Sequence, residues 1–183
     1  IQNNTHSGIS LSGYHNEIYG NTIQNNGYGI HFSQYSSNNN SIYGNTIQNN
    51  GYGIHFSQYS GDNKIYGNTI QNNTYSGISL SGYHNEIYGN TIQNNGDGIH
   101  FSQYSDSNKI YGNTIQNNGY GICFGFSDSN KIYGNTIQNN GYGIVFNDSS
   151  RDIIYNNTIQ NNEVGINFYH SYYSKIYGNT IQN

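Results

Sequence analysis

Three histidines and the single cysteine hold equivalent places along this 183-residue chain. His31, His55, His100 and Cys123 each follow a Gly-Ile pair and precede a Phe. If these segments stack as neighbouring strands, equivalent residues lie about 4.8 Å apart. Imidazole and thiolate groups bind soft or borderline metal ions, so these four residues are weak candidate metal ligands.

The same place in other segments holds residues that do not extend a metal site. Ser79, Val145 and Asn167 interrupt the series, and two neighbouring ligands make an incomplete site. A solvent-facing strand position that accepts many residue types explains the series equally well. We favour that interpretation and expect no metal and no cofactor.

A series of tyrosines is the second group with possible chemistry. Stacked aromatic rings stabilise each other by roughly 0.5–1.5 kcal/mol per pair, so the series has a structural explanation. An exposed stripe of rings could also pack on sugar rings or on a protein partner. The possible glycan or partner stripe comprises Tyr19, Tyr43, Tyr66, Tyr88, Tyr111, Tyr133, Tyr155 and Tyr177.

These residues are positioned by a repeat of 22 to 24 residues. The phrase Ile-Tyr-Gly-Asn-Thr-Ile first begins at Ile18 and recurs along the chain, with one variant that begins at Ile154. A fixed period of this length is typical of a solenoid, in which each coil buries its apolar face against its neighbours. The sequence predicts an all-β single-stranded parallel β-helix of about eight coils.

The spacing of apolar residues predicts the shape of one coil. Ile18 and Ile23 are five residues apart, and Ile23 and Ile30 are seven apart. Side chains on a strand alternate faces, so inward residues at odd spacing must be separated by a bend. Gly and Asn lie at those bends, where left-handed backbone is needed. Each coil therefore has three short strands and three corners, and the corner after Phe32 varies in length.

One asparagine recurs at the Gly-Asn corner of every coil. Identical amides about 4.8 Å apart can donate to one neighbour and accept from the other. We expect this asparagine ladder to be structural. Its members are Asn21, Asn45, Asn68, Asn90, Asn113, Asn135, Asn157 and Asn179.

Composition and charge exclude several classes of protein. A formal charge of −4 with five Lys and Arg residues is unsuited to nucleic-acid binding. No apolar run is long enough to cross a bilayer, so we expect no membrane insertion. We expect residues 1–183 to form one domain, as a segment of a longer protein or as a unit that assembles end to end.

The repeat resembles the right-handed parallel β-helix repeat family of the pectin-lyase-like superfamily. The resemblance lies in Asn21-Thr22-Ile23, Asn26 and Gly29-Ile30, and it extends over essentially the whole chain. It implies the fold. Members include polysaccharide lyases, carbohydrate-binding modules, a periplasmic copper-associated β-helix family and repetitive archaeal and bacterial surface proteins, so fold does not decide function.

For a polysaccharide lyase, the resemblance implies a site in which clustered Asp or Glu residues bind Ca²⁺ beside a basic residue. The acidic residues of this chain do not form such a cluster in the sequence. The only arginine, Arg151, lies beside Asp148 and Asp152 at the variable corner. We expect no catalytic residue. The other acids are scattered as Glu17, Asp62, Glu86, Asp97, Asp106, Asp128 and Glu163.

Near-identical coils favour a structural role. The sequence therefore predicts a non-enzymatic extracellular or cell-surface protein, such as a filament, sheath, stalk or adhesin subunit, that associates with itself. A periplasmic location is the alternative. A non-catalytic carbohydrate-binding module and a metal-handling or polysaccharide-processing protein are the alternative functions.

Overall fold

The computed structural model describes residues 1–33 and 37–182 and shows three parallel sheets of eight strands each. Every coil adds one strand to each sheet, which confirms the predicted parallel β-helix. The strands of the first sheet, five or six residues long, are β1 (Ser7–Leu11), β4 (Tyr28–Phe32), β7 (Tyr52–Phe56), β10 (Ser76–Leu80), β13 (Asp97–Phe101), β16 (Tyr120–Gly125), β19 (Tyr142–Asn147) and β22 (Val164–Tyr169).

The other two sheets are built from strands of three residues. The second contains β2 (Glu17–Tyr19), β5 (Ser41–Tyr43), β8 (Lys64–Tyr66), β11 (Glu86–Tyr88), β14 (Lys109–Tyr111), β17 (Lys131–Tyr133), β20 (Ile153–Tyr155) and β23 (Lys175–Tyr177). The third contains β3 (Thr22–Gln24), β6 (Thr46–Gln48), β9 (Thr69–Gln71), β12 (Thr91–Gln93), β15 (Thr114–Gln116), β18 (Thr136–Gln138), β21 (Thr158–Gln160) and β24 (Thr180–Gln182).

The core consists of columns of equivalent apolar residues, one column for each inward strand position. Ile87, for example, lies in register with Ile65 on one side and Ile110 on the other, and all three are fully buried. Phe101 and Phe124 stack with ring centroids 4.4 Å apart. In the last coil Ile176 and Ile181 are half exposed, so burial of these columns stops one coil short of the prediction.

The two tight corners need left-handed backbone. Gly20 has φ 67° and Asn25 has φ 57°, and the equivalent corners repeat these values along the solenoid. Gly adopts this conformation without strain, and Asn tolerates it better than most residues. The variable corner after Phe32 contains residues 34–36, which lie outside the described residues.

Asparagine amides connect the coils inside all three corners. At the Gly-Asn corner, Asn113 Nδ2 donates to Asn135 Oδ1 at 3.0 Å and to the carbonyl of Ile87 at 2.9 Å. Two further ladders pass through Asn26 and through Asn85, the latter at the variable corner. Because each amide satisfies buried backbone groups, the ladders replace the hydrogen bonds that corner residues would otherwise lose.

The described residues include no helix of the length and apolarity that a membrane span requires.

Candidate functional site

The outward face of the first sheet, which has the long strands, carries the histidine series. In the second coil the Tyr28 ring stacks on the His31 ring three residues later, with centroids 4.5 Å apart. His31 is in register with His55, and their rings are 5.3 Å apart and tilted by 45°. Aromatic side chains therefore form a ridge along this face.

The fifth coil replaces this Tyr–His stack with an acid–imidazole pair. Asp97 stands where β4 and β7 begin with Tyr, and its Oδ2 lies 3.1 Å from His100 Nδ1. Both side chains are partly exposed, 43% for His100 and 24% for Asp97. A carboxylate at Nδ1 fixes the imidazole with its proton on that nitrogen, which leaves Nε2 free to accept a proton.

The fourth coil interrupts the ridge with two serines. Ser76 is in register with Asp97, and Ser79 lies between His55 and His100 in the neighbouring strands. Because small side chains stand between large ones, a cavity of about 530 Å³ opens above this coil. We call it the serine notch. Its lining comprises Tyr52, His55, Thr74, Tyr75, Ser76, Ser79, Gly96, Asp97, His100 and Ser102.

A second cavity continues the serine notch towards the variable corner. It measures about 430 Å³ and shares His55 and Ser102 with the notch. Its other lining residues include Ser57, Gln58 and Ser81. The two cavities together form an open groove, the shape that an extended ligand requires.

His55 forms one wall of the notch and is held in its neutral form. Burial, followed by the nearby His31 ring, lowers the pKa of His55 from 6.5 to about 4. Its Nδ1 is buried without a hydrogen-bond partner. A buried N–H without an acceptor is rarer than a buried acceptor without a donor, which favours the proton on Nε2.

Tyr75 supplies an aromatic surface at the rim of the notch. Its side chain is 57% exposed, and its ring lies 4.9 Å from that of Tyr52. The sequence around Tyr75 repeats that around His6, with Tyr in place of His. An exposed ring beside polar groups is suited to packing on the apolar face of a sugar.

Two other His–Asp pairs provide a comparison for Asp97 and His100. His84 Nδ1 lies 3.8 Å from Asp62, and His170 Nδ1 lies 3.5 Å from Asp148. All four side chains are more exposed than Asp97, and none lines the serine notch or its continuation. Only the pair in β13 combines hydrogen-bond distance with a cavity, as far as residues 1–33 and 37–182 show.

The candidate metal ligands occupy the outward column in register, but do not form a larger cluster. His100 is in register with Cys123, and burial raises the pKa of the Cys123 thiol to about 11. A thiol of this kind is a poor source of the thiolate that binds metals. Among the described residues, no group of three or more His, Cys, Asp or Glu side chains could hold a metal ion.

The tyrosine stripe forms a continuous stack on the second sheet. Tyr88 and Tyr111 have centroids 4.9 Å apart and planes within 5° of parallel. Each ring face inside the stack is covered by its neighbour, so the stripe presents ring edges and hydroxyl groups to solvent. Stacking of a sugar on these ring faces is therefore confined to the ends, at Tyr19 and Tyr177.

The residues that make the notch were not singled out by the sequence. Asp97 counted as one scattered acid, and Ser79 only as an interruption of the histidine series. A signal was nevertheless present. The strand motif Tyr-Gly-Ile-His-Phe becomes Ser-Gly-Ile-Ser-Leu at β10 and Asp-Gly-Ile-His-Phe at β13, in consecutive coils.

Several solved structures share this fold. A double mutant of the periplasmic alginate epimerase AlgG aligns with 96% of this chain at 23% identity and a TM-score of 0.86. The enzymatically active domain of bacteriophage CBA120 tailspike protein 2 aligns with 95% at 14% identity and a TM-score of 0.77. The A-module of the Azotobacter vinelandii mannuronan C-5 epimerase AlgE4 aligns with 98% at 15% identity and a TM-score of 0.73.

This chain spans 47%, 33% and 56% of those three chains, respectively. All three are enzymes by description, which contradicts the prediction of a structural filament, sheath or stalk protein without enzymatic activity. The physical reason for the error is that the uniform core residues made the coils look equivalent. Chemistry depends on the outward residues, and these differ between β7, β10 and β13.

No protein with a curated description matches the sequence. The model of the family described as "Right handed beta helix region" matches residues 1–137 and 84–183, which together cover the whole chain. This match and the shared fold confirm the resemblance that the repeat indicated. The chain belongs to the right-handed β-helix family.

Proposed function

We propose that this chain processes a polysaccharide, which binds in the groove formed by the serine notch and its continuation. The observation that carries the proposal is the Asp97–His100 pair, which faces His55 across the two serines of β10. The enzymes that share the fold include epimerases of alginate and mannuronan, which supports a polysaccharide as the substrate.

His100 is the general base in this proposal. Asp97 orients the ring, and Nε2 takes a proton from a sugar hydroxyl or from a water molecule beside the sugar. His55, neutral above a pH of about 4, offers a hydrogen bond from the opposite wall. The reacting sugar therefore lies above Ser76 and Ser79, with one imidazole on each side.

Tyr75 and the hydroxyl groups of the groove bind the sugar in this proposal. The exposed Tyr75 ring covers one apolar sugar face, while Thr74, Ser102 and Ser57 line the groove with groups that can hydrogen-bond sugar hydroxyls. Carbohydrate sites combine aromatic surface with a few polar groups in this way.

The proposal includes a location outside the cytoplasm, in the periplasm or extracellular space. Polysaccharide substrates are found there, and one enzyme with this fold is described as periplasmic. Self-association of the chain stays a prediction.

The direct test is an activity screen on a panel of polysaccharides. Products are followed by reducing ends, by ultraviolet absorbance of unsaturated sugars and by uptake of deuterium from the solvent. We expect one polysaccharide to be turned over, and His100→Asn to lower the rate about 10²–10⁴-fold, the usual contribution of general base catalysis.

The matched control is His84→Asn, which removes an imidazole from a His–Asp pair outside the groove. Asn suits this control because His84 has φ 55°, a conformation that Asn tolerates. Full activity of His84→Asn beside an inactive His100→Asn supports the proposal. Equal activity of both variants, or no turnover of any polysaccharide by the unaltered protein, contradicts it.

A further inference from the structure

The first sheet, which has the long strands, carries no Lys or Arg side chain. Its eight strands contain neither Lys nor Arg, although four Lys residues occur in the second sheet, at Lys64, Lys109, Lys131 and Lys175. Arg151 lies at the variable corner, where it forms an ion pair with Asp128. The described residues that line the groove therefore include no Lys or Arg that could neutralise an anionic ligand.

Among the described residues that line the two cavities, Asp97 is the one acidic side chain, and its carboxylate is hydrogen-bonded to His100. Burial first and then the Asp97 carboxylate raise the pKa of the Cys123 thiol, and burial, two neighbouring tyrosines and then Asp97 raise that of Tyr52. Tyr52 lines the notch, and Cys123 is in register with His100 in the next strand. The remaining lining groups are hydroxyls, amides, backbone and imidazoles, and His55 is neutral above a pH of about 4.

We infer that the groove selects a neutral, hydroxyl-rich glycan and rejects one that carries a carboxylate on the sugar above Ser76 and Ser79. This inference rests on the proposed function, and it differs from the uronic acid polymers named for two of the enzymes with this fold. A uronate carboxylate would lie beside Asp97 with no Lys or Arg side chain to balance it, and such like-charge contacts disfavour the wrong ligand.

The test compares glycans that differ only in the carboxyl group. Polymannuronate and polygalacturonate are each paired with a carboxyl-reduced form, in which the carboxylate becomes a neutral hydroxymethyl group. Dissociation constants are measured by calorimetry at low salt. We expect the protein to bind at least one reduced glycan about tenfold or more tightly than its parent, a difference set by one like-charge contact.

Asp97→Asn identifies the source of the discrimination, since it keeps the shape and removes the charge. We expect the preference to fall below about threefold, through tighter binding of the uronate, and higher salt to weaken the preference in the unaltered protein. A uronate bound as tightly as its reduced form overturns the inference and leaves the proposed function standing. Failure of every member of both pairs to bind overturns the inference and the polysaccharide site together.

Discussion

Buried asparagines in the corners link neighbouring coils through hydrogen bonds. Asn113 is buried, and its side chain donates to Ile87 and Asn135 while accepting from the backbone and side-chain amides of Asn90. Each of these partners is itself a buried corner or core residue. Removal of one amide therefore leaves several buried groups unpaired.

We expect Asn113→Ala to lower the free energy of unfolding by about 1–3 kcal/mol, the cost of stranding buried polar groups. Urea denaturation measures the change. The control is Asn167→Ala, at an outward position that other coils fill with His, Ser, Cys or Val. Equal stability of both variants and the unaltered protein would show that the ladder does not stabilise the fold.

Asp152 occupies an asparagine position in the ladder of the variable corner. Asn130 donates to its Oδ1 from both the backbone and the side chain, whereas Oδ2 is buried without a hydrogen-bond partner. Burial raises the pKa of Asp152 from 3.8 to about 7, against the lowering effect of those two hydrogen bonds. The carboxyl group therefore keeps its proton in the folded protein at a pH where the unfolded chain has lost it.

This difference fixes the direction of a pH effect. Between pH 3.8 and about 7 the folded protein binds one more proton than the unfolded chain, so this group lowers stability as the pH rises. The loss approaches roughly 4 kcal/mol at pH 8, at 1.36 kcal/mol for each pKa unit. We expect Asp152→Asn to remove this loss, since an amide completes the ladder without a charge.

Urea denaturation of both proteins at several pH values measures the effect of Asp152→Asn. His55, with its lowered pKa, makes the opposite contribution to stability as the pH falls from 6.5 towards 4. Because His55 contributes equally in both proteins, the difference between the two curves isolates Asp152. We expect the stabilisation by Asp152→Asn to be larger at pH 8 than at pH 4. A difference independent of pH would contradict the buried protonated state.

Neighbouring strands of the first sheet approach each other closely at glycine positions. A Cβ at Gly121 would press against the carbonyl oxygen of Gly143 in the next coil, whereas one at Gly125 in the same strand would meet open space. We expect Gly121→Ala to destabilise the protein by about 1–3 kcal/mol through overpacking, and Gly125→Ala to change stability by less than about 0.5 kcal/mol. Equal melting temperatures of the two variants would contradict this packing.

The elements were predictable because their signals are local and periodic. Odd spacings between Ile18, Ile23 and Ile30 required bends, and the three strands of each coil follow from them. The third asparagine ladder was also encoded, since Asn63 and Asn85 precede an inward Ile by two residues, as Asn21 does.

The site was harder to predict because it depends on differences between coils. Ser79 opens the notch only because His55 and His100 flank it in the neighbouring strands. The hydrogen bond that Asp97 accepts from His100 depends on an acidic residue that begins β13 and no other strand of this sheet. Periodic averaging hides single-coil substitutions of this kind. The tyrosine stripe of the second sheet, by contrast, was predictable from the sequence. The sequence did not indicate that neighbouring rings would cover each other's faces.

The whole solenoid combines a uniform core with an outer face that differs from coil to coil. Stacked coils supply a rigid frame in which each outward position is fixed by its register with the coils on either side. The frame places an acid–imidazole pair, two serines and a neutral imidazole in three consecutive strands, β13, β10 and β7. The proposed function rests on a groove that a single large side chain can fill.

The most direct test of the groove is to fill it. Ser79→His continues the histidine ridge across the serine notch, and Ser10→His makes the same change in the matching Ser-Gly-Ile-Ser-Leu strand β1. Binding of the polysaccharide that the protein turns over is measured for both variants. We predict that Ser79→His weakens binding at least tenfold, about 1.4 kcal/mol, while Ser10→His leaves it unchanged. Unchanged binding by Ser79→His would contradict the account.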